Sequence, residues 1–247
     1  ISNINPLDMV TAITALIAAG AFLIGIISVF NALKRADASD VIPVVGSTTA
    51  ITTLLFSFIF LNQDSLSQNF LIGFIVIVAG TFLVSLFRFD ARALYFSLVS
   101  GFFFGIQAVA IKKLFLVTNF DSGFLWLNIS IPLLAVILLF IPHSGEDSHK
   151  ETREHIKKTS ISTYSIIALK QFISGVSAFL ILKAIEIGDV SIVQALGGLQ
   201  FVFILIFAVV FGNITPHYCG ENCNFFQKFQ KIISTVIIVF GFIILFL

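Results

Sequence analysis

The fold is decided by two stretches of sequence, ALKRADASDVIPVVG at residues 32–46 and AIEIGDVSIVQALGG at residues 184–198. Each contains the end of an apolar run, a short turn with Asp and Ser, and the start of another apolar run. We expect the Ser to cap the second helix of each stretch. The identical pairs share an offset of 152 residues and are Ala32/Ala184, Asp37/Asp189, Ser39/Ser191, Val41/Val193 and Gly46/Gly198.

The similarity continues into a later helix, where IVIVAGTFLVSL at residues 75–86 resembles VIIVFGFIILFL at residues 236–247. The offset is 161 residues here, so the second copy is longer by nine residues, and its extra part includes Cys219 and Cys223. Apolar helices often resemble one another by chance, but a shared turn in register with both flanking helices is harder to dismiss. The chain therefore contains an internal repeat.

Composition indicates the environment of this repeat. Of the 247 residues, 58% are hydrophobic and 11% are charged, whereas soluble domains carry about 25% charged residues. A membrane-spanning helix needs about 20 mostly apolar residues. We predict an all-α, polytopic transmembrane bundle, because continuous apolar runs are typical of helices rather than of barrel strands. Its eight predicted spans are 9–33, 41–61, 70–87, 93–116, 122–142, 162–184, 191–212 and 231–247.

The topology follows from the number of spans between the two turns. Five predicted spans separate Asp37 from Asp189, and an odd number places the turns on opposite membrane faces. The copies are then inverted, a recurrent plan of secondary transporters. We divide the chain into a first repeat of three spans at residues 1–90 and a second repeat of five spans at residues 91–247. The hairpin at 93–142 has no counterpart in the first repeat, so we expect two further helices before Ile1.

This pattern resembles the EamA-like branch of the drug/metabolite transporter superfamily. The motif that carries the resemblance is spread over Ala32-Leu33, Ala38-Ser39, Ala184-Ile185, Val190-Ser191, Gly80 and Gly241. The resemblance implies ten helices in two inverted five-helix repeats, and export or exchange of small metabolites through a central cavity. The chain departs from many relatives, which have Gly-Glu where it has Leu61-Asn62-Gln63 and Gly212-Asn213.

The predicted function is secondary transport of a small metabolite by alternating access, in a multi-pass protein of the cell membrane. The predicted partners are the substrate and the lipid bilayer, with a homodimer left open and no cofactor. Net charge is +1, which does not indicate a nucleic-acid partner. Asp, Glu and His are absent from the predicted span interiors, which disfavours an enzyme. The alternatives are a membrane-embedded enzyme for lipid-linked substrates and a non-transporting scaffold.

Intramembrane polar side chains are costly and commonly functional, so they are the candidates for lining a substrate cavity. Each has a simpler interpretation: Lys170 would snorkel towards a helix end, the Gln side chains would bond between helices, and Thr would bond its own backbone. The candidates are Lys170, Gln171, Gln194, Gln200, Gln107, Thr48 and Thr52.

The connection that contains His217, Cys219 and Cys223 is a weak candidate for metal binding, because a metal site usually needs four ligands or an open fourth position. We predict no metal site there and leave a local disulfide or two free thiols open. Membrane orientation also stays open. The charge rule makes the more basic face cytoplasmic, whereas the family plan places that face outside.

Overall fold

The computed structural model describes residues 8–36, 38–61, 68–85, 90–140 and 161–197, together with 200, 203, 233–234, 236–241 and 243–244. The described part is helical apart from short turns and bends. The helices are α1 (Met9–Leu33), α2 (Ala38–Leu61), α3 (Gln68–Ser85), α4 (Ala91–Val117), α5 (Phe120–Leu139), α6 (Ile161–Ile187) and α7 (Val190–Leu196). We call the helical residues among 233–244 the C-terminal helical segment.

Five of these helices are long and apolar enough to cross a bilayer, namely the spans Met9–Leu33, Val41–Leu61, Ala91–Val117, Phe120–Leu138 and Tyr164–Ile187. A shorter apolar helix covers Leu71–Thr81 within α3. This confirms the prediction of an all-α chain with several helices of membrane-spanning length, whereas the eight-span, inverted-repeat plan stays a prediction. The ends differ by a few residues: α2 begins three residues before the predicted span, and α6 continues three residues past it. The connections at 143–160 and 213–230 lie outside the described residues.

Helix α4 packs between α1 and α2, and its contacts with α1 run antiparallel. Near the start of α4, the Ser100 hydroxyl donates a hydrogen bond of 2.9 Å to the carbonyl of Gly25, late in α1. Near the end of α4, Ile111 shares a buried apolar cluster with Ala15, early in α1. This approach depends on small residues in α1, since a Cβ at Gly25 would lie 2.7 Å from the Phe104 ring. Small residues at such positions let helices meet closely in lipid, where no hydrophobic force joins them.

The interface between α4 and α2 is parallel and equally close. A Cβ added at Gly101 would lie 2.5 Å from the Cβ of Thr48, and one added at Gly105 would lie 2.5 Å from the Cβ of Thr52. Both helices advance by four residues between these contacts, so they run in the same direction. Glycine is therefore required at both positions by the approach of α2.

The two turns of the repeat lie near opposite ends of α4. Val41, just after the first turn, belongs to a cluster that includes Phe96, early in α4. Ile185, just before the second turn, belongs to a cluster with Leu114, late in α4. Phe96 and Leu114 are eighteen residues apart, about 27 Å along a helix axis.

Helix α3 packs against the C-terminal helical segment through a reciprocal pair of contacts. A Cβ at Gly80 would lie 2.8 Å from Cγ1 of Ile238, and a Cβ at Gly241 would lie 2.8 Å from Cγ1 of Ile77. Ile77 and Ile238 are both almost completely buried. Ile77 lies against Gly241, and Gly80, three residues later in α3, lies against the earlier residue Ile238. The two helices are therefore antiparallel.

Candidate functional site

Several polar contacts between helices meet at the turn that joins α6 to α7. Asp189 caps α7, and its carboxylate accepts a hydrogen bond of 2.7 Å from the backbone N–H of Ser191. The prediction that the Ser caps this helix is therefore wrong. A carboxylate reaches the free N–H groups of the first turn and also complements the helix dipole. Asp37, the equivalent of Asp189, lies outside the described residues, but α2 begins at the next position, Ala38.

Since Asp189 supplies the cap, the hydroxyl of Ser191 is available for a contact between helices. It lies 3.1 Å from the hydroxyl of Ser57 on α2, and both side chains are completely buried. Ser57 also donates to the carbonyl of Thr53, one turn earlier in α2. The turn is thus joined to α2 by a buried hydrogen bond.

Lys112 on α4 joins the same turn to the third helix. Its Nζ donates to the carbonyls of Ile185, Glu186 and Gly188, at 2.9, 2.8 and 2.7 Å. The last carbonyls of a helix have no partner within the helix and form the negative end of its dipole. The ammonium group therefore satisfies the end of α6 and positions the turn. Nothing in the local sequence around Lys112 predicts this role.

Other charges and aromatic rings surround this end of α6. Lys183 forms an ion pair with Glu186 in the last turns of the helix. The ammonium group of Lys183 also lies 4.3 Å from the centre of the Phe120 ring, a cation–π distance. We call Lys112, Lys183, Glu186, Asp189, Ser57 and Ser191 the polar end cluster.

The predicted cavity residues Thr48 and Thr52 lie in the close interface between α2 and α4, against Gly101 and Gly105. Neighbouring hydroxyls bond their own helix, as Thr49 does to the carbonyl of Val45. The hydroxyl of Thr53 is buried and has no hydrogen-bond partner within the described part of the chain. These positions show a packing role for Thr48 and Thr52, and a cavity role stays a prediction.

The other candidates are dispersed over three helices and the residues after α7. Gln107 on α4 and Gln194 on α7 are half-buried, whereas Gln200 is exposed. Lys170 and Gln171 are exposed on α6. Among the described residues, no hydrogen bond or ion pair joins any two of the seven candidates. The structure thus brings together a different set, the polar end cluster.

The described ranges contain no group of three or more His, Cys, Asp and Glu side chains that could hold a metal ion. The candidates His217, Cys219 and Cys223 lie outside those ranges. What the polar end cluster offers chemically is hydrogen bonding and charge pairing at the end of a helix.

No family model and no curated protein matches this chain. A solved structure described as "Crystal structure of protein" is similar to it, with a TM-score of 0.58 and 15% sequence identity. The similarity covers 95% of this chain and 85% of that one. At this identity the comparison shows a shared fold, which extends over almost all of the chain.

Proposed function

We propose that the chain is a secondary transporter of the cell membrane that moves a small metabolite by alternating access between two inverted repeats. The observation that carries the proposal is the reciprocal contact between α3 and the C-terminal helical segment. Gly80 and Ile77 are related to Gly241 and Ile238 by the same offset of 161 residues. The contact of Gly80 with Ile238 is therefore equivalent to the contact of Gly241 with Ile77. A two-fold axis produces such a pair of equivalent contacts.

The direction of the helices gives the direction of this axis. Because the two equivalent helices are antiparallel, the axis that relates them is perpendicular to both. For helices that cross a bilayer, such an axis lies in the membrane plane, as in inverted-repeat transporters. The placement of the two turns near opposite ends of α4 agrees with the same axis.

The packing suggests which parts move together. Helices α1, α2 and α4 meet through glycines with almost no free space, so we treat them as one rigid body. The α6–α7 turn is attached to that body by the bonds of Lys112 and Ser191. Hydrogen bonds can be exchanged for bonds to water without leaving a cavity. We therefore expect the polar end cluster to open when the part of the bundle that contains α6 and α7 rocks against the body formed by α1, α2 and α4.

Inverted topology is tested by labelling two engineered cysteines from known sides of the membrane. Cys219 and Cys223 are replaced by Ser, and Arg35→Cys or Ile187→Cys is added at an exposed position beside each turn. In sealed vesicles, a membrane-impermeant maleimide should label one variant from outside and the other only after the vesicles are opened. Labelling of both from the same side would contradict the inverted repeat.

Transport itself is tested in proteoliposomes that contain the full-length protein. We expect saturable counterflow of at least one solute from a panel of radiolabelled amino acids, nucleosides and sugar phosphates. Empty liposomes are the control, and size-exclusion chromatography confirms that the protein is folded. If the folded protein moves none of these solutes while the cysteines label from opposite sides, the inverted repeat is supported and the transport proposal is wrong.

A further inference from the structure

The hydroxyl of Thr53 is an exception among the hydroxyl groups of α2. Ser47, Thr49 and Ser57 each donate to the carbonyl four residues earlier in the helix, at 2.9, 2.7 and 2.6 Å. The carbonyl of Thr49 lies at the same spacing from Thr53, yet the Thr53 hydroxyl has no hydrogen-bond partner among the described residues, and its side chain is completely buried. A buried hydroxyl without a partner is costly, so such a group indicates a bound water or ion.

Thr53 lies on the side of α2 that faces α7. Three residues earlier, Ala50 shares a buried apolar cluster with Ala195 on α7. Four residues later, the hydroxyl of Ser57 lies 3.1 Å from that of Ser191, at the start of α7. Residues three and four apart share one face of a helix, so Thr53 lies between these two contacts on the same face.

The three hydroxyls of Thr53, Ser57 and Ser191 have unused bonding capacity. Ser57 donates its one proton to the carbonyl of Thr53, so Ser191 is the donor in the contact between the two serines. A hydroxyl oxygen can accept two hydrogen bonds, so each serine can accept at least one more within the described contacts. Thr53 keeps its proton for donation. Together the three groups offer one donor and several acceptors.

We propose that Thr53, Ser57 and Ser191 bind one water molecule, which joins α2 to the start of α7. The hydroxyl of Thr53 donates to this water, and the water donates its two protons to the hydroxyls of Ser57 and Ser191. About three hydrogen bonds are typical of a buried water. The distance is suitable, because residues four apart on a helix have Cβ atoms about 6 Å apart and two consecutive hydrogen bonds of about 2.8 Å cover a similar length.

The charges around the α6–α7 turn favour water over an ion. The ammonium group of Lys112 donates to the carbonyl of Gly188, and the carboxylate of Asp189 accepts from the N–H of Ser191. Charges of both signs therefore lie beside three neutral hydroxyls, and neither a cation nor an anion finds a surplus of opposite charge. Water needs only two to four polar partners. The inference concerns the attachment of α7 to α2 and does not depend on transport.

Two matched substitutions in α2 test the inference by thermal unfolding in detergent. Thr53→Val keeps the shape of the side chain and removes the donor to the water, so we expect the unfolding midpoint to fall by about 2 to 4 °C. Thr49→Val is the control and should leave the midpoint almost unchanged, because the Thr49 hydroxyl bonds only its own helix among the described residues. A Thr53 hydroxyl that truly lacks a partner would make Thr53→Val more stable, and a midpoint equal to or above that of the control would contradict the proposal.

Two further measurements identify what the site holds. Thr53→Val and Ser191→Ala should be non-additive in a double-mutant cycle, although no hydrogen bond joins the two side chains directly, and additive losses would count against a shared water. The unsubstituted protein should unfold at the same temperature in sodium chloride and in choline chloride. Stabilisation by sodium that Thr53→Val abolishes would show that the occupant is a cation instead.

A high-resolution structure of the unsubstituted protein gives a direct answer that needs no variant. We expect density for a water molecule within hydrogen-bond distance of Oγ1 of Thr53 and Oγ of Ser191. A Thr53 hydroxyl that donates to the carbonyl of Thr49, or directly to Ser191 with no water between them, would overturn the proposal.

Discussion

Helices α1 and α6 are equivalent in the repeat predicted from the sequence and have similar lengths of 25 and 27 residues, yet their surroundings differ. α1 carries a buried series of Ala, Gly, Ser and Thr that lets α4 approach it. α6 has large side chains at most of the equivalent positions and is exposed. Both are apolar enough for a membrane. The comparison teaches that burial in a membrane protein follows steric fit to a neighbour rather than hydrophobicity, because lipid is as apolar as the helix surface.

The largest effect on stability should come from replacing a glycine in the packed part of the bundle, and it should be absent for a glycine on the exposed helix α6. Gly101→Leu places a side chain where a Cβ already meets the carbonyl oxygen of Val45 at 2.7 Å, whereas Gly175 on α6 has no atom within 4 Å. We expect Gly101→Leu to cost about 3 kcal/mol or more and Gly175→Leu less than about 0.5 kcal/mol. Thermal unfolding in detergent measures both. If the two variants lost equal stability, the bundle around Gly101 would not be more closely packed than the surroundings of α6.

The next effect concerns the bonds that hold the end of α6. Lys112→Met leaves the carbonyls of Ile185, Glu186 and Gly188 without their charged donor, so we expect a loss of about 2 kcal/mol in the free energy of unfolding. Lys113→Met is the control, because the Lys113 ammonium contacts only the Phe60 ring, at 6.0 Å from its centre, within the described residues. A Lys112 variant as stable as the Lys113 variant would show that α6 does not depend on this cap.

A smaller and paired effect is expected at the reciprocal contact. Gly80→Ala and Gly241→Ala each introduce a methyl group 2.8 Å from an isoleucine Cγ1, so each should cost about 1 to 2 kcal/mol. Ala79→Val, at an exposed position next to Gly80, is the control and should be nearly neutral. Unfolding midpoints in detergent compare the three variants. Unequal losses at the two glycines would argue against a two-fold relation.

The smallest effect belongs to the hydrogen bond between Ser57 and Ser191. Ser57→Ala, Ser191→Ala and the double variant form a thermodynamic cycle that isolates their interaction. We expect a coupling of about 0.6 kcal/mol, the average for hydrogen bonds between membrane helices. No coupling would mean that the 3.1 Å approach contributes nothing to the attachment of the turn.

The sequence predicted the helices well, because the length of an apolar run is a local property. The five membrane-length helices agree with predicted spans to within a few residues. Helix α6 ends three residues past its predicted span, and the ion pair of Lys183 with Glu186 lies in this last turn. The cap was assigned to Ser rather than Asp189 because both residue types are good caps and only the backbone path distinguishes them.

The candidate site was harder to predict, since the sequence does not tell which polar residues meet in space. Lys170 and Gln171 are polar groups inside a predicted span, which made them candidates for a cavity, but both are exposed on α6. The role of Lys112 could not be predicted, because nothing in its local sequence pairs it with carbonyls more than seventy residues away. The approach of Gly101 and Gly105 to Thr48 and Thr52 joins two helices that are far apart in the sequence, so no local pattern predicts it.

The sequence by itself determined that the chain forms apolar helices of membrane length and that two of its turns repeat, because both properties follow from residue type and spacing along the chain. Only the tertiary structure decided that α1 is packed and α6 is not, that Lys112 caps the end of α6, and that Gly80 and Gly241 form equivalent contacts. The reason is physical. In an apolar solvent, hydrophobicity determines where helices form, while close steric contact and buried hydrogen bonds determine which helices meet.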